Sequence, residues 1–254
     1  MQEITSVNNK LIKNITKLEK KKYREESGYY LIEGFHLVEE ALKAGEKYQY
    51  LLATNKALKK LNEAGFSFED KKVIQITDNV ADHLSSTKNS QDIFLTIKIN
   101  QPEHFNFNFG KWVLLDNLAD PGNVGTIIRT ADAAGFDGVI LSPETVDLYN
   151  PKVQRSMQGS QFHINLIKED LFEAVDSLKK SDIPVYASML DSEAKQLPDF
   201  KPAAQVALII GNEAHGVQKS LAELADEKLY IPIKGKAESL NAAIAAGIMI
   251  YHFC

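Results

Sequence analysis

The sequence predicts an α/β protein: a parallel sheet flanked by helices over residues 111–254, preceded by a smaller α/β unit over residues 1–100. Three observations carry this. From Lys111 onward, strand-like apolar runs alternate strictly with helix-like segments, the pattern of βαβ units. Val206 to Ile210 is almost wholly apolar, as a strand buried on both faces should be. Three segments place Gly, Asn, Ser or a lone charge where an apolar strand gives way to a helix: Asn117 to Ala134, Leu208 to Val217, and Ile231 to Ala246. Open α/β sheets bind ligands at such strand ends.

The elements follow in order. Residues 4–24 read as a helix, and residues 29–44 as a short strand and an amphipathic helix closed by Gly45. Residues 48–53 form a strand, and residues 56–65 a helix ending at Gly65. Val73 to Ile76 and Ile93 to Ile99 are further strands. Residues 101–110 contain Pro, polar residues and no period, and read as a linker. Beyond it, strands are expected at Val113 to Asp116, Val139 to Ser142, Phe162 to Ile167, Pro184 to Met189, Val206 to Ile210 and Leu229 to Ile233. Helices are expected at Val124 to Ala134, residues 150–158, Leu171 to Ser181, Gln218 to Ala225 and Leu240 to His252.

The chain has 254 residues, 44% hydrophobic and 25% charged, enough for one large or two smaller cores. No apolar run has the length of a membrane span, and the first residues have no apolar signal core. The single cysteine, Cys254, cannot form an internal disulfide, so a cytoplasmic location is expected. The net charge of −5 divides into +2 for residues 1–100 and −7 for the rest. Within the first part, Lys10, Lys13, Lys17, Lys20, Lys21, Lys22 and Arg24 face a single acid, Glu19. This run is either a solvated helix face or a patch for a phosphate backbone.

Several chemistries lack their signatures. The spacing of Gly122 and Gly125 does not match G-x-G-x-x-G, and no G-K-[ST] follows. No Cys cluster or H-x-x-x-H indicates a metal, and no Gly-x-Ser-x-Gly elbow indicates a serine hydrolase.

The three segments admit both structural and functional readings. In the first, Asp120 or Asn123 can cap a helix that Pro121 enters, and Arg129 is either salt-bridged or a fork for a phosphate. In the second, Glu213 is either a helix cap or a carboxylate partner for Arg129. In the third, Ser239 is a good helix cap, and the small residues after Asn241 allow close packing.

Taken together, the segments resemble the three motifs of the SpoU (TrmH-type) RNA ribose methyltransferases of the SPOUT class. The matches are N-x-G-x-x-x-R-T-A at Asn123 to Ala131, G-N-E-x-x-G at Gly211 to Gly216, and I-P-x-x-G-x-x-x-S-L-N at Ile231 to Asn241. Residues 150–160 (NPKVQRSMQGS) resemble the family's N-P-K-x-x-R-x-S-x-G stretch. The first 100 residues resemble, more weakly, its substrate-binding domain, which is related to small ribosomal RNA-binding proteins.

The resemblance implies a parallel-sheet domain ending in a trefoil knot, an exception to the no-knot rule. It implies a homodimer, S-adenosylmethionine as cofactor, and methyl transfer to a ribose 2′-hydroxyl. Ribosomal RNA is favoured over transfer RNA by analogy with the branch that carries such an N-terminal domain. A transfer-RNA enzyme, a base-methylating relative and a non-catalytic RNA- or ribosome-binding factor are the alternatives.

Arg129, Asn123, Glu213, Ser239 and Asn241 would form the catalytic set. Met189, Leu190, Gly211, Asn212, Gly216, Ile231, Pro232 and Leu240 would hold the cofactor. Arg155 would join the basic run on RNA, and no metal is expected. Because a guanidinium is not deprotonated in proteins, Arg129 is expected to hold phosphate and developing alkoxide. Two departures from the family pattern are Ala214-His215 in the second motif and Ala242-Ala243 after Asn241.

Overall fold

The computed structural model describes residues 2–66, 68–100, 107 and 109–254, with the side chain of Asp70 excepted. The expected linker at residues 101–110 lies outside the described residues except for Phe107, Phe109 and Gly110. The chain divides into two compact units: residues 1–100 with 147–162, and residues 101–146 with 163–254. The contiguous reading placed residues 147–162 with the second unit; their packing puts them in the first.

The first unit holds strands β1 (Gln2–Ile4), β2 (Tyr29–Glu33), β3 (Tyr48–Ala53), β4 (Val73–Ile76) and β5 (Ile93–Lys98) in the order β1-β4-β3-β5-β2. The β5 strand runs antiparallel to both β2 and β3, so the sheet is mixed. Helices α1 (Lys10–Thr16), α2 (Lys21–Ser27), α3 (Phe35–Lys43), α4 (Asn55–Glu63) and α5 (Asp78–Leu84) cover it. Period-two alternation divides its core. Leu51, Ile93, Leu95 and Ile97 face α3 and α4, whereas Leu52, Ile74, Ile76 and Phe94 pack with residues of α1 and α5.

The expected helix over residues 4–24 is broken. It is replaced by β1, α1 capped by Asn9 Oδ1 on the Leu11 N–H, a short turn at Lys17–Glu19, and α2. The break has a buried cause. Arg24 is 3% exposed and donates to the Leu18 carbonyl at 2.6 Å. In an uninterrupted helix that carbonyl would accept the N–H four residues on. The α5 helix and the short β1 strand were not anticipated.

The second unit holds β6 (Lys111–Asp116), α6 (Pro121–Ala133) and β7 (Gly138–Leu141). The chain then supplies α7 (Pro151–Met157) to the first unit, where Tyr149 and Phe162 pack against the core and the Tyr149 ring lies 4.6 Å from that of Tyr30. It returns with β8 (Asn165–Lys168), α8 (Leu171–Lys180), β9 (Val185–Ser188), β10 (Lys195–Gln196), β11 (Val206–Gly211), α9 (Lys219–Ala222), β12 (Glu227–Tyr230) and α10 (Ala242–His252).

The sheet order is β10-β12-β9-β11-β6-β7-β8, and every pairing is parallel. All its strands therefore end on one edge. In register, Gly211 lies beside Asp116 and Leu229 beside Ser188. That register brings the starts of the first two motifs side by side, with the third leaving the same edge. The last strand ends at Tyr230, short of the expected Ile233, and residues 231–241 are irregular. Pro232 within them has no N–H to give to a ladder.

Candidate active site

The first motif starts where β6 stops. Asp116, 1% exposed, accepts the Gln218 backbone N–H at 2.8 Å and Gln218 Nε2 at 2.7 Å. Asn117 turns the chain with φ +57. Asp120 caps α6, its Oδ1 accepting the Asn123 N–H at 2.8 Å, and Pro121 occupies the first turn. The buried face of α6 is Val124, Gly125, Ile127, Ile128 and Ala131. Arg129 lies on the opposite, exposed face and makes no hydrogen bond or ion pair among the described residues.

Glu213, one candidate partner for Arg129, is engaged elsewhere. Glu213 accepts Asn123 Nδ2 at 3.0 Å and the backbone N–H groups of Ala119 and Asp120 at 3.3 Å each. Partial burial raises its pKa, but these donors outweigh burial and hold it below the usual carboxylate value.

The second motif is a tight turn. Asn212 and Gly216 exchange backbone hydrogen bonds at 3.1 and 2.9 Å, and Gly216 has φ +70. A Cβ on Gly211 would lie 2.1 Å from Gly216 C and Val217 N, so only glycine fits. Asn212 Oδ1 accepts the Ala214 N–H at 2.9 Å, while its Nδ2 donates to the Asn117 carbonyl at 2.6 Å.

In the third motif the helix cap is Asn241 and not Ser239. Its Oδ1 accepts the N–H groups of Ala243 and Ile244 at 2.9 and 3.3 Å. Its Nδ2 donates to Asn123 Oδ1 at 3.0 Å. Asn241, Asn123 and Glu213 thus form one hydrogen-bonded chain, with one member from each motif.

Beside this chain lies a cleft of about 470 Å³. Met189, Leu190, Gly211, Asn212, Gly216, Ile231 and Leu240 line it, as do Glu213, Ser239 and Asn241. Pro232 and Arg129 are not in the lining, and Asn123 joins the site through its two side-chain bonds. Tyr230 and Met249 line the cleft without having been anticipated. The signal for Met249 was available: with Ala242 and Ala245 it makes an i, i+3, i+7 stripe on α10.

The basic run is less uniform than its sequence. Lys21 and Lys22 pair with Glu25 and Glu26 at 3.7 and 3.8 Å, and Lys17 lies 5.5 Å from the Tyr23 ring centroid. Lys10, Lys13 and Lys20 are exposed. Arg24 is buried against Asp147 and cannot face RNA. Arg155 Nη1 donates to Ser86 Oγ at 2.6 Å.

The parallel α/β sheet with three strand-end loops at one cleft is the fold of the SPOUT class of methyltransferases. Residues 110–251 match the SpoU rRNA Methylase family and residues 9–95 the MRM3-like substrate binding domain, so the chain belongs to the SpoU family. It is 39% identical to the 23S rRNA (guanosine(2553)-2′-O)-methyltransferase RlmP of Bacillus subtilis over 99% of both chains. An AdoMet-bound rRNA methyltransferase from Sinorhizobium meliloti superposes with a TM-score of 0.87 at 30% identity, covering 99% of this chain and 96% of that one. The AdoMet complex of AviRb from Streptomyces viridochromogenes gives 0.81 at 25% identity, with 96% and 97% covered.

Proposed function

We propose that this protein transfers a methyl group from S-adenosylmethionine to a ribose 2′-hydroxyl of ribosomal RNA, of the 23S class. The observation that carries this reading is the Asn241–Asn123–Glu213 chain, which joins the polar residues of three distant motifs at one cleft. Likeness to the 23S rRNA methyltransferase over the full length supports the substrate.

The cleft suits the cofactor. Its volume falls within the ~300–1,000 Å³ of small-molecule sites. Leu190, Ile231 and Leu240 give it apolar walls, and Gly211 and Gly216 leave backbone accessible. S-adenosylmethionine supplies a methyl group already activated on sulfonium sulfur. Met189, Leu190, Gly211, Asn212, Gly216, Ile231 and Leu240 would hold it.

A ribose hydroxyl is a weak acid, so alignment and proton removal both limit the reaction. Glu213 is ionised, but its oxygens are taken by three N–H groups. It orients Asn123 and is not the base. Arg129 offers an unengaged planar fork for the phosphate beside the target ribose and for developing alkoxide. Ser239 and Asn241 orient the ribose at the cleft mouth. The proton leaves through the neighbouring phosphate or water.

Lys10, Lys13 and Lys17, at i, i+3 and i+7, share one face with a phosphate-binding charge, and Lys20 extends it. Homodimer formation is supported by Ile244, Ile248 and Tyr251, exposed at i, i+4 and i+7 on α10. The knot belongs to the same reading, supported by the return of α10 against α6 and β11 after β12. Among the described residues no helix is long and apolar enough to cross a membrane. The single cysteine suits a reducing cytoplasm.

The test is methyl transfer from radiolabelled S-adenosylmethionine to ribosomal RNA. Nuclease-resistant dinucleotides are expected; label in a base, or label entering transfer RNA alone, sinks the reading.

A further inference from the structure

Behind the first motif, Ser142 and Thr145 form a buried hydroxyl pair, each 4% exposed, that belongs to none of the three motifs. Thr145 Oγ1 donates to the Leu115 carbonyl at 3.0 Å, which also accepts the Ser142 N–H at 3.1 Å. With its one proton committed, Thr145 offers lone pairs to Ser142 Oγ at 2.9 Å. Ser142 Oγ accepts the Asn117 N–H at 3.0 Å and lies 3.1 Å from Asn117 Oδ1. The serine therefore holds Asn117 through its backbone N–H, while its single proton goes to Thr145.

Asn117 has φ +57, a left-handed conformation uncommon outside glycine and adopted by asparagine more readily than by most residues. From that conformation its carbonyl accepts Asn212 Nδ2 at 2.6 Å. Two residues on, the N–H groups of Ala119 and Asp120 reach Glu213. One four-residue loop thus grips Asn212 and Glu213 of the second motif. Through Glu213 it also fixes Asn123 and Asn241.

We propose that Ser142, backed by Thr145, is a positioning residue for methyl transfer: its hydroxyl locks Asn117 in the left-handed conformation from which residues 117–120 hold Asn212 and Glu213. This rests on the methyltransferase reading above. Neither hydroxyl lines the cleft, so the pair acts entirely through the loop. Removing the Ser142 hydroxyl strands the partly buried Asn117 N–H and frees the loop. Displacements of about 1 Å at reacting groups cost on the order of 100-fold in rate.

The experiment compares wild type, Ser142→Ala, Thr145→Val, and Ser142→Ala combined with Asn117→Gly. Calorimetry measures S-adenosylmethionine affinity, single-turnover assays measure methyl transfer at saturating cofactor and RNA, and amide exchange follows residues 117–120 and 211–216. Ser142→Ala is expected to slow methyl transfer by about 10- to 100-fold. Exchange should quicken in both segments. Thr145→Val should do the same more weakly. Glycine at 117 adopts positive φ without cost, so the double variant should recover at least part of the lost rate. A serine needed only for general stability would not be rescued that way. Wild-type exchange and wild-type turnover in a folded Ser142→Ala or Thr145→Val protein overturn the proposal alone. Wild-type protein that binds no S-adenosylmethionine overturns the methyltransferase reading, and this proposal with it.

Discussion

At the scale of single residues, the two charges of the site have opposite fates. Arg129 is exposed and unengaged, whereas Glu213 is held by three N–H donors. Arg129→Lys keeps the charge but loses the planar fork. It is expected to lower single-turnover methyl transfer more than about tenfold, while calorimetry shows unchanged cofactor affinity. Near-normal turnover would show that the fork is dispensable. For Glu213 the sign follows from its lowered pKa. A carboxyl depressed in the folded state contributes stability that is fully present above its unfolded value of about 4.3. That stability disappears as pH falls through the lower folded value. Glu213 stays ionised across neutral pH, so cofactor binding should be flat with pH there and weaken only in acid. Glu213→Gln should remove this acid limb and weaken binding throughout, because its amide nitrogen must face one of the existing donors. An acid limb that persists unchanged in that variant rules out Glu213 as its source.

At the scale of elements, residue pattern foretold most of what periodicity can register. The all-apolar run at Val206 is the central strand β11, and the alternation after Lys111 became a parallel sheet. What it missed depended on partners distant in sequence. The break at Lys20 goes with Arg24 taking the Leu18 carbonyl and meeting Asp147, and no local window contains that ion pair. Ser239 offers a good cap for α10 by residue type, yet Asn241 both caps the helix and reaches Asn123. The three motifs were legible as strand-end loops. Their mutual bonding was not, because it depends on the register that sets Gly211 beside Asp116. The turn at Gly211 gives a direct test of element packing. Gly211→Ala drives a Cβ into the backbone at Gly216 and Val217, and overpacking of this kind costs about 1–3 kcal/mol. Thermal unfolding should start earlier and S-adenosylmethionine affinity should fall more than tenfold. An unchanged affinity would mean that the second motif does not shape the cleft.

At the scale of the whole molecule, the path of the chain matters more than its composition. The basic run at Lys10 and the three motifs fall in different units, as their separation in sequence suggests. Residues 147–162 did not follow their neighbours. Their motif-like sequence suggested the catalytic half, but Tyr149, Phe162 and the Asp147 carboxylate find their partners in the first unit. A core assembled from two separated stretches of chain need not fall apart when the peptide between them is cut. Cleavage within residues 101–106 yields an N-terminal piece and a C-terminal piece that still carries Asp147 to Phe162. The two should co-elute in size exclusion and separate only in denaturant, whereas early release of the N-terminal piece would show that residues 147–162 do not hold it. The enzyme is, in this sense, a natural split protein: two fragments expressed apart should find each other through sixteen borrowed residues.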